Sequence, residues 1–209
     1  IRIASALGAL REKIVFVGGA TAGLLISDPA AEKVRATVDV DAVADAGGAR
    51  FRAIEEQLAR QGFVHDVDSG VICRWIHRAS GITFDLMSTH DEVFSFTNRW
   101  YADAVRTATR TDLGGGLLVN VVSAPAFVAT KFEAFAGRGG GDLLGSHDIE
   151  DILAVVDGRP ELDAELAASP QALREAVRAG FAALLGHADF ENGIGGMLAD
   201  AARVPIVLE

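Results

Sequence analysis

Cysteine is nearly absent: Cys73 stands alone in 209 residues, which excludes an internal disulfide framework and suits a reducing compartment. Long apolar runs are missing as well. Ile14 to Val17 is far too short to cross a bilayer, and Leu184-Leu185 sits inside an amphipathic stretch. No secretory signal is visible, so the expected location is cytoplasmic, with no membrane partner. The sequence opens at Ile1 and not at Met, as a trimmed N-terminus would. Basic residues are outnumbered, 19 Lys and Arg against 29 Asp and Glu, for a formal net charge of −10. That balance excludes a general electrostatic footprint on nucleic acid, so such a partner would need a local basic groove. The histidines, His65, His77, His90, His147 and His187, show no His-x-x-x-His or Cys-His spacing, which argues against zinc. Internal repeats and low-complexity tracts are absent too. What remains is 50% apolar and 23% charged, an ordinary globular composition, and at ~150 residues per domain it fits one or two domains.

The first half alternates short strands and helices. Ile14-Val15-Phe16-Val17 reads as a strand buried on both faces, broken by Gly18-Gly19 and followed by a helix to Ile26. Arg35 to Val43 alternates, with Val38, Val40 and Ala42 on one face and Thr37, Asp39 and Asp41 on the other. Phe51, Ile54 and Leu58 have helical spacing ahead of Gly62. Val71 to His77 and Ile82 to Met87 read as strands joined in hairpin manner by Ala79-Ser80-Gly81, and Leu117 to Val122 as one more strand. The second half reads as helix: Ala124 to Arg138, Ser146 to Val156, Pro170 to Leu185 and Asp189 to Ala201, with a glycine loop at Gly137 to Gly141. Trp75, Trp100 and Tyr101 suit core packing better than base stacking. The expected fold class is α/β (α+β), a mixed-sheet core over residues 1–91 followed by a mainly helical domain over 92–209.

Three features converge on chemistry. Residues two apart on a strand share a face, with side-chain bases roughly 6–7 Å apart, so Asp39 and Asp41 can both reach one divalent cation. Asp85 lies on the face of its strand opposite Ile82, Phe84 and Leu86. If the two strands are neighbours, all three carboxylates share one side of the sheet. Such an acidic trio repels itself, and Mg²⁺ or Mn²⁺, which take hard oxygen ligands, would neutralise it. Gly18 and Gly19 would let backbone approach a triphosphate, Thr21 could add a hydroxyl, and Arg35 could meet phosphate charge. Each part alone also has a plain structural reading: a turn, a solvated strand face, a surface acid. Lys131 stands three or four residues from Phe127, Val128 and Phe135, on the inward stripe of its helix, where it either snorkels or serves a site. Asp148 and Asp151 open the next helix, where acids suit the helix dipole.

Taken together, Gly18-Gly19, Thr37-x-Asp39-x-Asp41 and Asp85 have the order and separations of the polymerase-β-like nucleotidyltransferase superfamily, which the chain resembles. Gly-Gly departs from the Gly-Ser of many members. Gly18, Gly19, Arg35, Thr37, Asp39 and Asp41, with Lys131, Arg138, Asp148 and Asp151, resemble the motifs of AbiEii/AbiGii-type nucleotidyltransferase toxins. The resemblance spans roughly Ile14 to Arg159.

It implies a nucleotidyltransferase that moves a nucleoside monophosphate from a nucleoside triphosphate to an acceptor hydroxyl. Asp39, Asp41 and Asp85 would hold the metals, and Asp85 would also accept the proton of the attacking hydroxyl. Lys131 would contact nucleotide phosphate, with Asp148 positioning it or the lysine. The implied acceptor is an RNA end such as tRNA, or a protein, and the implied partner an antitoxin protein. A non-catalytic nucleotide- or partner-binding module of the same fold, and a small-molecule nucleotidyltransferase acting on an antibiotic, are the alternatives.

Overall fold

The computed structural model describes residues 1–31, 34–138, 142–198 and 200–208. Of the expected glycine loop, Gly139–Gly141 lie outside the described residues. The chain divides into two compact units: residues 1–21 with 36–123, and residues 22–35 with 124–209.

The first unit is built on a seven-stranded mixed sheet in the order β3-β4-β5-β2-β1-β7-β6. The strands are β1 (Val15–Val17), β2 (Asp39–Ala44), β3 (Phe63–His65), β4 (Arg74–His77), β5 (Thr83–Ser88), β6 (Thr109–Asp112) and β7 (Leu118–Val121). β2 runs parallel to β5 and antiparallel to β1, while β1 and β7 are parallel. β1 is buried throughout, as its unbroken apolar run predicts. Among the helices, α1 is Arg2–Ala6, α2 is Gly19–Leu25, α3 is Gly48–Arg60 and α4 is Tyr101–Arg106. α3 buries Phe51, Ile54 and Leu58, the residues its spacing selects, and Phe51 meets Phe94 edge to face. Trp75 and Trp100 are core residues.

β2 begins at Asp39 and not at Arg35, because its pairing with β5 starts at Asp39↔Thr83 and leaves the preceding residues without a strand partner. Val38 is 88% exposed there, outside any alternating face. The sheet also extends past residue 91: β6 and β7 form a hairpin closed by Gly114–Gly116 at positive φ, and β7 joins β1, so these elements belong with the sheet and not with the helices.

The second unit is helical: α5 (Ala124–Gly137), α6 (His147–Gly158), α7 (Leu162–Ala168), α8 (Gln171–Leu185), α9 (Phe190–Met197) and α10 (Val204–Leu208). α5 packs on α6, α7 and α8, and at its crossing with α8 Gly180 leaves room for Phe132, whose ring a Cβ there would meet at 2.4 Å. Phe127, Ile149 and Ile152 are fully enclosed. Residues 22–35 are fastened to these helices by polar contacts. The Gly158 carbonyl accepts from the Ser27 and Asp28 amides, Arg159 donates to the Leu25 carbonyl, and Arg203 pairs with Asp28 and Asp157.

Phe84 is fully buried on β5, with its ring 5.5 Å from that of Phe63. Phe84→Ala is expected to cost about 3–5 kcal/mol through lost burial and a cavity, read by chemical denaturation of the full chain.

Candidate active site

The sheet register assembles the acidic face. Asp41 of β2 pairs with Asp85 of β5, and Asp39 with Thr83. Directly paired residues project to the same side of a sheet, as do residues two apart on one strand, so Asp39, Asp41 and Asp85 lie on one face. The arrangement is open at one end only: Ala42, Val43 and Ala44 are buried, while Asp39 to Asp41 are half-buried.

The bend after β1 joins this face. Gly18 has φ +71°, and a Cβ built there would lie 2.0 Å from Asp41 Oδ2. Only glycine lets the Asp41 carboxylate rest against the bend. Thr21 is drawn to the same bend. It is buried, and its hydroxyl donates to the Gly18 carbonyl at 2.8 Å, tying the first turn of α2 to the bend.

Arg74 is the residue that sequence reasoning missed. It opens β4, pairs in register with Asp85, and completes a row of Arg74, Asp85 and Asp41 across three strands. Its Nε donates to Asp85 Oδ1 at 2.9 Å and its Nη2 to Asp85 Oδ2 at 2.7 Å, a two-pronged carboxylate grip. The same Nη2 stands 3.9 Å from Asp39 Oδ2. Hydrogen bonding to Asp85 raises the Arg74 pKa above its ordinary value. The signal for this pair was present in the sequence: a hairpin centred on Ala79 and Ser80 sets residue 74 opposite residue 85. Cys73, just ahead of β4, is buried, and its thiol is pushed up to about 11 by burial first and then by the charges of Asp85 and Asp41. It is therefore a thiol and not a thiolate at neutral pH.

As a donor set for a divalent cation, Asp39 and Asp41 fit: both are half-buried carboxylates on one face, with Asp41 resting against the Gly18 bend. Asp85 shares that face with both its oxygens engaged by Arg74. Among the described residues, no three His, Cys, Asp or Glu side chains converge as a ready ligand group.

The remaining expected residues form a second charged cluster, within the helical unit. Lys131 of α5 reaches Asp148 Oδ1 at 3.1 Å and Asp151 Oδ2 at 2.6 Å on α6, all three side chains being nearly enclosed. Arg138 holds the other Asp148 oxygen at 2.6 Å. Arg35 lies 3.5 Å from Glu150 and 3.7 Å from Asp151. Lys131 thus faces inward as its helical position predicts, and Asp148 positions it. Asp148 and Asp151 are more than dipole partners of α6, since each is buried and ion-paired. Ser146 caps that helix, accepting from the Ile149 amide.

No family model matches the chain, and no curated protein does. Solved structures do. The chain is similar to an antigenic nucleotidyltransferase-like protein from Paracoccidioides brasiliensis, with a TM-score of 0.55 and 22% identity over 98% of this chain and 94% of that one. It is also similar to the antibiotic-resistance factor ANT(2'')-Ia, with a TM-score of 0.50 and 17% identity over 89% and 92% of the two chains. The fold is nucleotidyltransferase-like.

Gly18→Ala is expected to destabilise the chain by about 2 kcal/mol, because alanine must adopt left-handed backbone and displace Asp41; thermal melting measures it. Lys131→Ala leaves Asp148 and Asp151 buried without their shared cation. A loss of about 3 kcal/mol is expected in denaturant unfolding.

Proposed function

We propose that the protein is a nucleotidyltransferase, moving a nucleoside monophosphate from a nucleoside triphosphate to an acceptor hydroxyl. The reading is carried by one observation: Asp39, Asp41 and Asp85 share one sheet face beside the Gly18 bend in a chain of nucleotidyltransferase-like fold. Asp39 and Asp41 would hold Mg²⁺ or Mn²⁺, whose chemistry there is charge neutralisation at the triphosphate. Gly18 and Gly19 offer backbone to the phosphates. Asp85 orients that face and, beyond the two guanidinium hydrogen bonds, keeps lone pairs with which to take the acceptor's proton. Lys131 and Arg35 are assigned to nucleotide phosphate on their motif positions, with Asp148 and Asp151 fixing the lysine.

The motif run from Gly18-Gly19 through Arg35, Thr37, Asp39 and Asp41 supports the finer reading of an AbiEii-type toxin with an RNA end, such as tRNA, or a protein as acceptor, and a separate antitoxin. A cytoplasmic location belongs to the same reading; no helix among the described residues is long and apolar enough to cross a membrane. A small-molecule acceptor is the competing form, supported by the likeness in fold to an antibiotic-resistance factor and by the acidity of the face, which suits a polycationic antibiotic. The grip of Arg74 on Asp85 favours a second reading, a nucleotide-binding module without catalysis.

The deciding experiment incubates the purified protein with each α-labelled triphosphate, Mg²⁺ and, separately, total RNA, cell extract and polycationic antibiotics. Label is expected in one acceptor class. Asp39→Asn and Asp41→Asn are each expected to lower transfer roughly 100-fold or more with the melting temperature retained. Triphosphate binding with no pyrophosphate release in any arm would select the binding module.

A further inference from the structure

Arg74, Asp85 and Asp41 stand side by side across β4, β5 and β2, and Arg74 also faces Asp39. One guanidinium therefore supplies positive charge to a face carrying three carboxylates. Asp85 is the most deeply buried of the three, and both its oxygens accept from Arg74. A carboxylate presents about four lone-pair directions, so two remain once the guanidinium is seated. What opposes a divalent cation at these oxygens is therefore charge. A fixed positive group at ion-pair distance works against a second cation on the same carboxylates.

We propose that Arg74 is the resident counter-cation of this face, holding Asp85 and Asp39 in position and competing with a divalent cation for them. Loading of the face then weakens the hold of the guanidinium on Asp85 through competition of the two charges. The fold gives the guanidinium a route. Arg74 is the first residue of its strand, its side chain is 26% exposed, and the segment before it carries the exposed Val67 and Ile72 around the Asp66–Ser69 turn. Arg74 is a positioning residue, acting through Asp85. The inference rests on the nucleotidyl-transfer reading only in taking this face as a cation site.

The test is Mn²⁺ binding to the full chain, followed through the electron paramagnetic resonance signal of the free ion, for wild type, Arg74→Lys and Arg74→Gln. Arg74→Gln is expected to bind Mn²⁺ about tenfold more tightly than wild type, the size of effect one unit charge has on a neighbouring ionic equilibrium. Arg74→Lys should fall between them, because a point charge grips one oxygen at a time. Equal or weaker binding by Arg74→Gln overturns the proposal, and so does the absence of binding in all three proteins. Since glutamine leaves Asp85 without its partner and can unfold the sheet, wild type is also treated with phenylglyoxal at saturating Mn²⁺, and Arg74 modification is read by peptide mass. Mn²⁺ is expected to raise that rate several-fold; an unchanged or lower rate overturns the proposal. Tighter Mn²⁺ binding in Arg74→Gln, with no label transferred to any acceptor, would sink the transfer reading and leave Arg74 in its role. Transfer abolished by Asp39→Asn, with Mn²⁺ binding unchanged in Arg74→Gln, would do the reverse.

Discussion

The parallel pairing of Asp39–Ala44 with Thr83–Ser88 is the constraint on which the acidic face depends. A slip of one residue would turn every side chain of one strand to the other side and separate Asp41 from Asp85. The buried half of the pairing resists that slip. Ala42, Val43 and Ala44 lie beside Leu86, Met87 and Ser88 in the core, where both sheet faces are covered. The other half of β2 is half-buried, and the aspartates sit there. Burial at one end of a strand thus fixes the register of the carboxylates at its other end.

Both units hold carboxylates with basic side chains, in different ways. On the sheet, one arginine grips one aspartate through two hydrogen bonds at the margin of solvent. In the helical unit, one lysine bridges two aspartates that are almost wholly enclosed. A buried ionic group of that kind contributes little net stability over an apolar replacement, yet it penalises every packing of α5 on α6 that leaves a charge unpaired. It specifies a packing more than it stabilises one.

The fold class was legible because its main signals are local. Val15–Val17 declares itself by an unbroken apolar run, α3 by the spacing of Phe51, Ile54 and Leu58, and the second half by long helical stretches. The short elements were not. β3 is three residues long and draws its identity from pairing with β4. β6, Thr109–Asp112, is polar and mostly exposed, so no alternation marks it, and only its partner β7 makes it a strand. The carboxylates were readable through period-two spacing and the glycine pair. Arg74 was legible only through the hairpin that sets it opposite Asp85, since a cation's value at a site depends on which residue stands across the strand, and that is a property of pairing. The hydrogen bond of Thr21 is likewise set by its surroundings: a hydroxyl in the first turn of a helix has a backbone carbonyl within reach and takes it.

The segment from residue 22 to residue 35 has a consequence for the order in which the molecule is completed. The helical unit is not a contiguous stretch of chain: Leu25, Asp28 and Arg35 are tethered to residues that follow 149. A gene fragment beginning at Ala124 would encode helices deprived of these tethers. During synthesis the segment emerges early and must wait for most of the polypeptide before its contacts exist. Each unit is made of two separated stretches that alternate along the chain, 1–21 and 36–123 for the sheet and 22–35 and 124–209 for the helices, so neither can be excised cleanly without rejoining the chain in a new order.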